Sequence, residues 1–218
     1  ELAARCGLLV VDEAHCISDW GHDFRPDYRR IGRILRLLPD NIPVLGTTAT
    51  ANDRVIADVQ EQIGDDLVVL RGPIKRESLR LQNIQLPAQS ARMAWLVENI
   101  PTLSGSGIIY CLTVRDTQVV ARWLQSHDID AHAYYGGLDH DSRIDLENRL
   151  LRNDVKALVA TTALGMGFDK PDLGFVIHFQ RPGSIIHYYQ QIGRAGRALP
   201  DAYAVLLCGE EDEKITTY

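Results

Sequence analysis

The chain has 218 residues, enough for one large domain or two small ones around a buried core. Its 45% hydrophobic and 24% charged residues are typical of an ordinary globular protein and exclude a disordered or fibrous chain. The sequence has no apolar run of bilayer length and no basic-then-apolar leader, and its net charge of −6 argues mildly against a nucleic-acid surface. We therefore expect no membrane association and a cytoplasmic location.

The four cysteines are scattered along the sequence, at Cys6, Cys16, Cys111 and Cys208. They form no C-x-x-C pair and have no histidine beside them at zinc-ligand spacing. We expect buried thiols of a reduced compartment, with no disulfide framework and no zinc.

The first element is a short apolar run at residues 8–11, which ends in two acids, Asp12 and Glu13. This pattern predicts a buried parallel strand whose carboxyl end presents both carboxylates to a ligand-binding cleft. Adjacent acids there can divide phosphoryl transfer, one holding Mg²⁺ and the other orienting the attacking water. The alternative is that both acids only end the strand and cap the next element.

Residues 16–28 are too polar and irregular for a strand, so we predict a loop. Its aromatic residues Trp20, Phe24 and Tyr28 alternate with His22 and Arg25. Rings that stack on bases and cations that meet phosphates are typical of single-stranded nucleic-acid binding. The alternative is that the aromatic rings only pack the loop onto its own domain.

The remaining elements alternate between strand and helix. In the first half we predict a helix at 27–38, a strand at 43–47, a helix capped by Asn52 that reaches 63, and a strand at 67–70. Strands are then predicted at 79–86, 107–111, 131–135, 155–160, 174–178 and 202–207, separated by helices at 89–100, 114–126, 141–151 and near 184. This alternation predicts an α/β protein with parallel sheets, divided into a domain at 1–72, a linker at 73–78 and a domain at 79–218.

Two loops of the second half carry candidate chemistry. In the first, at 161–171, Gly165 and Gly167 allow backbone amides to approach a phosphate, and Asp169 and Lys170 offer ribose or phosphate contacts. Its spacing matches neither a Walker A loop nor a dinucleotide fingerprint.

The second loop, at 190–197, has Arg194 and Arg197 three residues apart. On a helix they would share a face that suits an anion, as arginine fingers do in phosphoryl transfer. The alternative is a surface salt bridge, which the glycine-rich sequence disfavours.

Together these segments resemble a family. Asp-Glu-Ala-His at 12–15, Thr-Ala-Thr at 48–50, the loop at 163–171 and Gln-x-x-Gly-Arg-Ala-Gly-Arg at 190–197 resemble motifs II, III, V and VI of superfamily-two helicases, in that order. The aromatic loop at 16–28 resembles that of the RecQ family. Residues 110–115 are similar to motif IV, and Tyr-Tyr-Gly-Gly-Leu at 134–138 is similar to the stretch that precedes motif V.

The resemblance implies two RecA-like lobes with ATP between them and a DNA strand across them, in a 3′-to-5′ DNA helicase of repair and recombination. Asp12 would hold Mg²⁺, mostly through water, and Glu13 would be the general base. His15 would touch Gln190 across the cleft, and Arg194 and Arg197 would reach the γ-phosphate, with Arg197 as the finger. Nucleotide contacts would come from Asp12, Gly165, Gly167, Asp169, Arg194 and Arg197, and DNA contacts from Trp20, Phe24, Arg25, Thr113, Arg115, Thr161 and Thr162.

Some positions depart from the family. Gln191 stands where motif VI usually has Glu, Ala198 and Leu199 stand where it has Asp-Gly, and Tyr135 stands where the family usually has His. No G-x-x-x-x-G-K-[S/T] loop occurs, so we expect an N-terminally truncated first lobe and negligible ATP hydrolysis by this polypeptide alone. The alternatives are a non-catalytic nucleic-acid or partner-binding module and, less favoured by the aromatic loop, an RNA-directed DEAH enzyme.

Overall fold

The structure is a computed structural model that describes residues 6–17, 28–35, 37, 39, 41–49, 52–63, 67–72, 76–165, 167–210 and 212. The chain divides into two compact units, Glu1–Pro73 and Ile74–Tyr218. Each unit combines parallel strands with helices. In the part of the chain that the structure describes, no helix is both long and apolar enough to cross a bilayer.

The first unit contains a two-stranded parallel sheet. Strands β1 (Leu9–Val11) and β2 (Val44–Gly46) pair in register, with Val10 opposite Leu45, and helices α1 (Tyr28–Leu35) and α2 (Asp53–Ile63) accompany them. The predicted cap of α2 is present, since the Val55 N–H donates to Asn52 Oδ1 over 2.9 Å. A short 3₁₀ helix, Ala14–Ile17, follows β1 directly. The acidic motif therefore lies at the carboxyl end of a parallel strand.

Two expectations for this unit are wrong. Strand β1 is not buried on both faces, because Leu9 and Val11 pack toward the small core while Val10 is 52% exposed. The apolar run at 67–70 forms no strand, and its Val68 and Leu70 are 80% and 90% exposed. Strand propensity says only that a segment suits a sheet, and here no described strand lies beside it to accept the pairing.

The second unit is built on a six-stranded sheet in which every pairing is parallel, in the order β3-β8-β7-β4-β6-β5. Its strands are β3 (Leu79–Gln85), β4 (Gly107–Tyr110), β5 (Ala131–Tyr134), β6 (Ala157–Ala160), β7 (Phe175–His178) and β8 (Ala202–Cys208). The central strands β4, β6 and β7 are buried at every position, as continuous apolar runs predict. All six carboxyl ends lie along one edge of the sheet.

Helices cover both faces of this sheet and bury a separate apolar cluster on each. Helices α3 (Gln89–Asn99) and α4 (Val114–Gln125) pack on one face through Leu96 and Leu124, and α5 (His140–Leu151) and α6 (Ile185–Ile192) contribute Leu150 and Ile192 to the other cluster. Three of the helices begin at side-chain caps, Thr113 for α4, Asp139 for α5 and Ser184 for α6. The caps fix where each loop at the carboxyl edge turns into a helix.

Candidate functional site

Asp12 occupies the carboxyl end of β1 and is held there as an ionised group. Its Oδ1 accepts hydrogen bonds from Thr47 Oγ1 over 2.6 Å and from the Glu13 N–H over 2.9 Å. The Thr47 hydroxyl, followed by the Glu13 amide, lowers the pKa of the Asp12 carboxyl. An exposed, ionised carboxylate suits Mg²⁺, which prefers oxygen ligands and keeps much of its water, so the residues present fit the ion that the family implies.

Glu13 follows in an unusual backbone conformation, with φ of 50°. Its Oε2 is buried and has no hydrogen-bond partner among the described residues. His15 Nδ1 lies 3.1 Å from this oxygen, within ion-pair distance, and 2.9 Å from Thr48 Oγ1, with which it forms a hydrogen bond. A carboxylate oxygen that accepts no hydrogen bond among the described residues can take a proton, which is the property that a general base needs.

His15 is 2% exposed and packs inside the first unit. Besides Thr48, its ring approaches Cys16, with Nε2 3.7 Å from Sγ. The acidic motif thus bonds the threonine motif directly, through His15 with Thr48, and bonds the residue before it, through Asp12 with Thr47. The predicted contact of His15 with Gln190 joins the two units and stays a prediction.

The aromatic loop between Ile17 and Tyr28 lies outside the described residues. The DNA contacts expected of Trp20, Phe24 and Arg25 therefore stay predictions from the sequence.

In the second unit, the loop after β6 and the segment after α6 pack against each other. The Arg194 guanidinium donates to the Phe168 carbonyl over 2.9 Å, and the Gly196 N–H donates to the Leu173 carbonyl over 2.9 Å. Gly167 has φ of +93°, and a Cβ at Gly165 would lie 2.8 Å from the Thr162 carbonyl oxygen. Both predicted glycines are thus needed for the path of the loop itself.

The two charged candidates at this contact bind each other. Arg197 Nη1 lies 2.7 Å from Asp169 Oδ1, and the two side chains are 45% and 60% exposed. An exposed ion pair of this kind is worth little free energy, so either partner can exchange it for another at low cost. Asp169 and Arg197 are therefore neighbours at the surface, and the guanidinium can be released from this pair to bind an anion.

Arg194 is less exposed and lies beside a buried aromatic group. The Tyr110 hydroxyl donates to the Leu164 carbonyl over 3.0 Å, in the same loop that Arg194 holds at Phe168. Burial raises the pKa of Tyr110 to about 12, and the nearby Arg194 guanidinium offsets this only in part. Arg194 Nε is buried without a partner among the described residues. Arg194 thus supports the loop and keeps one donor unused.

The neighbouring glutamines differ in their surroundings. Gln191, the departure from the family pattern, accepts a hydrogen bond from His178 Nε2 over 2.7 Å inside the core. Burial lowers the pKa of His178 to about 4, so this pair is neutral near pH 7. The side-chain nitrogen of Gln190 is buried and has no partner among the described residues. Gln191 therefore anchors α6, while Gln190 keeps a free donor.

Lys170 has a different role from the one expected. Its side chain is buried, and Nζ donates to the Leu151 carbonyl over 3.2 Å and to Asp172 Oδ1 over 2.8 Å. The expectation of a ribose or phosphate contact is corrected, because the ammonium group ties the loop to the end of α5 and is shielded from solvent.

The predicted DNA-contacting residues of this unit lie at the carboxyl edge of the sheet. Thr113 caps α4, accepting from the Asp116 N–H over 3.0 Å, and Arg115 is exposed in the first turn of that helix. Thr161 follows β6 and accepts from the Ala163 N–H over 3.3 Å, and Thr162 is exposed beside it. All four lie at the edge where open α/β sheets bind ligands.

Sequence reasoning missed three residues that shape the site: Thr47, Tyr110 and His178. Thr47 directly precedes the threonine motif, so its hydroxyl group and its position could have indicated a place in the site. The roles of Tyr110 and His178 depend on the strand order, because β4 and β7 are neighbours in the sheet although other strands and helices separate them along the chain.

Two family models match the chain. Residues 2–59 match the DEAD/DEAH box helicase model, and residues 92–199 match the helicase conserved C-terminal domain. The RecQ-like DNA helicase BLM of Xenopus laevis is 38% identical over 213 residues, which cover 94% of this chain. The probable ATP-dependent DNA helicase RecS of Bacillus subtilis is 39% identical over 210 residues, which cover 92% of this chain.

This chain belongs to the RecQ-like helicase family. It spans only part of the curated relatives that it matches, 15% of the Xenopus laevis protein and 40% of the Bacillus subtilis protein.

Solved structures place this RecQ-like chain in a known fold. Saccharomyces cerevisiae Dbp5 bound to RNA and ADP BeF3 matches with a TM-score of 0.76 at 20% identity, over 96% of this chain and 57% of Dbp5. A DEAD box protein from Methanococcus jannaschii matches with a TM-score of 0.63 at 22% identity, over 95% of this chain and 55% of that protein. At these identities the likeness shows the fold, and the expected RecA-like α/β class is confirmed.

Proposed function

We propose that this chain is the core portion of an ATP-dependent DNA helicase. The observation that carries the proposal is that helicase motifs lying far apart in sequence are joined by direct contacts within each unit. In the first unit Asp12 and His15 bond Thr47 and Thr48. In the second unit Arg194 bonds the loop that contains Asp169.

The proposed chemistry assigns one task to each side chain. Asp12 would hold Mg²⁺ through water, and the bound ion would neutralise charge on the transferred phosphates. Glu13 would take the proton of the attacking water, since its buried oxygen accepts no hydrogen bond among the described residues. Arg197 would leave Asp169 for the γ-phosphate, and Arg194 would support the loop and contribute its unused donor.

The finer features of the proposal come from the family resemblance. These are 3′-to-5′ movement on single-stranded DNA, duplex unwinding, and a role in repair and recombination. ATP hydrolysis would be coupled to movement through the predicted contact of His15 with Gln190.

The 218-residue polypeptide alone is expected to turn over ATP negligibly, because its sequence contains no G-x-x-x-x-G-K-[S/T] loop to bind the β and γ phosphates. Fusion of the chain to an N-terminal segment that supplies such a phosphate-binding loop should create DNA-stimulated hydrolysis. Steady-state phosphate release, with and without single-stranded DNA, measures both expectations.

Point variants of the fusion protein then test the assignments. Glu13→Gln and Arg197→Ala should each lower kcat by at least about a hundredfold. Arg152→Ala is the matched control, because it removes an exposed guanidinium whose ion-pair partner, Asp154, belongs to none of the motifs. Full activity in Glu13→Gln, or equal losses in Arg152→Ala and Arg197→Ala, would reject the assignment.

A second candidate, a nucleic-acid-binding module without catalysis, is favoured by the aromatic and basic residues at 16–28. Titration of the 218-residue chain with single-stranded DNA at several salt concentrations, beside Trp20→Ala, discriminates it. Saturable binding that weakens in Trp20→Ala, without any hydrolysis by the fusion protein, favours the module.

A further inference from the structure

Tyr135 is the aromatic residue that replaces the usual histidine of the family, and it immediately follows β5. Because side chains alternate along a strand, it lies on the opposite face from the buried Tyr134, toward α4. Gln118 of α4 donates from Nε2 to the Tyr135 hydroxyl over 3.1 Å. The ring is thus fixed at its tip and remains partly exposed.

A tight turn with two glycines follows this ring. The Leu138 N–H donates to the Tyr135 carbonyl over 3.1 Å, which closes a tight turn around two exposed glycines, Gly136 and Gly137. A Cβ at Gly137 would lie 3.4 Å from the Tyr135 ring. The turn therefore passes beside the ring, and Gly137 places no side chain against it.

The turn lies directly beside the loop after β6. The Thr161 N–H donates to the Tyr134 carbonyl over 3.2 Å, and a Cβ at Gly136 would lie 3.9 Å from the Ala163 Cβ. On the other side, Arg115 lies one turn before Gln118 on α4, and residues three apart share a helix face. An exposed cation after β4, a hydroxyl-rich loop after β6 and a fixed ring after β5 thus lie at neighbouring positions of the carboxyl edge of the sheet.

We propose that Tyr135 is a stacking platform for one base of the bound single strand, whose flanking phosphates lie against Arg115 and the loop at Thr162. This inference rests on the proposed DNA-binding function and adds a residue to it. Single-stranded nucleic acid requires aromatic rings and cations close together, and a ring whose hydroxyl is already held by Gln118 loses little conformational freedom on binding.

Because of the charges at this edge, the contribution of stacking can be distinguished from that of ionic attraction. Asp139 lies four residues after Tyr135, and its carboxylate accepts from the Ser142 N–H over 2.8 Å as the cap of α5. With this acid nearby and a net charge of −6, phosphate attraction alone is weak here. The contribution of Tyr135 to DNA affinity should be nearly independent of salt, because stacking releases no counterions.

The test is a titration of the 218-residue chain with an oligonucleotide that contains 2-aminopurine, whose fluorescence responds to stacking. Tyr135→Ala should weaken binding by about tenfold, by the same factor at low and high salt, and should reduce the change in fluorescence. Tyr135→Phe should bind like the parent chain. Arg115→Ala should instead lower the slope of log Kd against log salt by about one.

The matched control is Tyr203→Ala, which removes a tyrosine that is 38% exposed near the amino end of β8. Thermal melting of every variant checks that the fold is retained. Equal affinity of Tyr135→Ala and Tyr203→Ala overturns the stacking role and leaves the proposed function intact. Loss of binding in Tyr135→Phe assigns the contact to the hydroxyl and overturns stacking, and absence of DNA binding by the parent chain overturns both proposals.

Discussion

His178 is a buried imidazole whose neighbours favour its neutral form. Its ring lies 5.5 Å from the Tyr110 ring and 5.0 Å from the Tyr188 ring, and its Nε2 bonds Gln191. Burial lowers its pKa from 6.5 to about 4. Between these two pH values the unfolded chain binds a proton that the folded chain excludes.

The chain should therefore lose stability as the pH falls below 6.5, at up to about 1.4 kcal/mol per pH unit from this group, until about pH 4. Urea unfolding at a series of pH values measures this slope. His178→Phe keeps a ring between the tyrosines and removes the titration, so its slope should be shallower. Parallel slopes for the two chains would contradict the assignment.

Lys170 is expected to matter for stability. Lys170→Met removes hydrogen bonds from a buried ammonium group to Leu151 and Asp172, at a cost of about 2 kcal/mol in the free energy of unfolding. Chemical denaturation measures this, with Arg152→Met as an exposed control that should change it by less than about 0.5 kcal/mol. If Lys170→Met leaves the free energy of unfolding unchanged, ligand binding becomes the better explanation for the role of Lys170.

At the scale of elements, Thr113 shows that one side chain can serve a helix and a site. Its hydroxyl accepts from the Asp116 N–H and donates to Asp116 Oδ2 over 2.8 Å. Thr113→Val keeps the shape but loses the cap, so it should cost about 1 kcal/mol, whereas Thr113→Ser should not. Thermal melting distinguishes the two variants, and equal melting of Thr113→Val and the parent chain would show that the cap contributes nothing.

The elements themselves were largely predictable because their signals are local. Asn52 marked the start of α2, and continuous apolar runs marked β4, β6 and β7. The failures have long-range causes. Residues 67–70 have strand composition but no described strand beside them, and the exposure of Val10 depends on which elements cover the sheet.

In the candidate site too, features with a local signal were predictable and long-range contacts were not. Motif spacing alone indicated Asp12, Glu13, Arg194 and Arg197, but it could not reveal that Thr47 holds Asp12 or that Asp169 holds Arg197. Those contacts depend on which strands are neighbours, and sequence separation does not encode this. The assignment of Lys170 to a ligand contact was wrong because the lysine is buried. Burial also depends on the tertiary structure and cannot be read from the spacing of the motif.

At the scale of the whole chain, the two units differ in the size of the apolar clusters that their described residues form. The second unit has a large cluster on each face of its sheet, whereas the described cluster around β1 contains Val11 and Ala14 with Leu9 and Ile31 packed on it. Burial of apolar surface is the main favourable term in folding. The second unit should therefore resist opening more strongly.

Amide hydrogen exchange followed by mass spectrometry measures this difference. Peptides from β4, β6 and β7 should exchange slowest, and peptides from β1 and β2 should exchange faster by at least about tenfold. Peptides from α5, in the second unit but at its surface, provide an internal reference. Equal protection of β1 and β4 would mean that the two units open as one.

Glu13, the proposed general base, has a left-handed backbone conformation that lowers stability. The other described non-glycine residues with positive φ are Asp128 and Asn153, whose short side chains tolerate that conformation. Glutamate has no such advantage, so Glu13→Asn should raise the free energy of unfolding by up to about 1 kcal/mol while removing the proposed base. Stability and the proposed chemistry therefore favour different residues at position 13, and urea unfolding of Glu13→Asn beside the parent chain measures that difference.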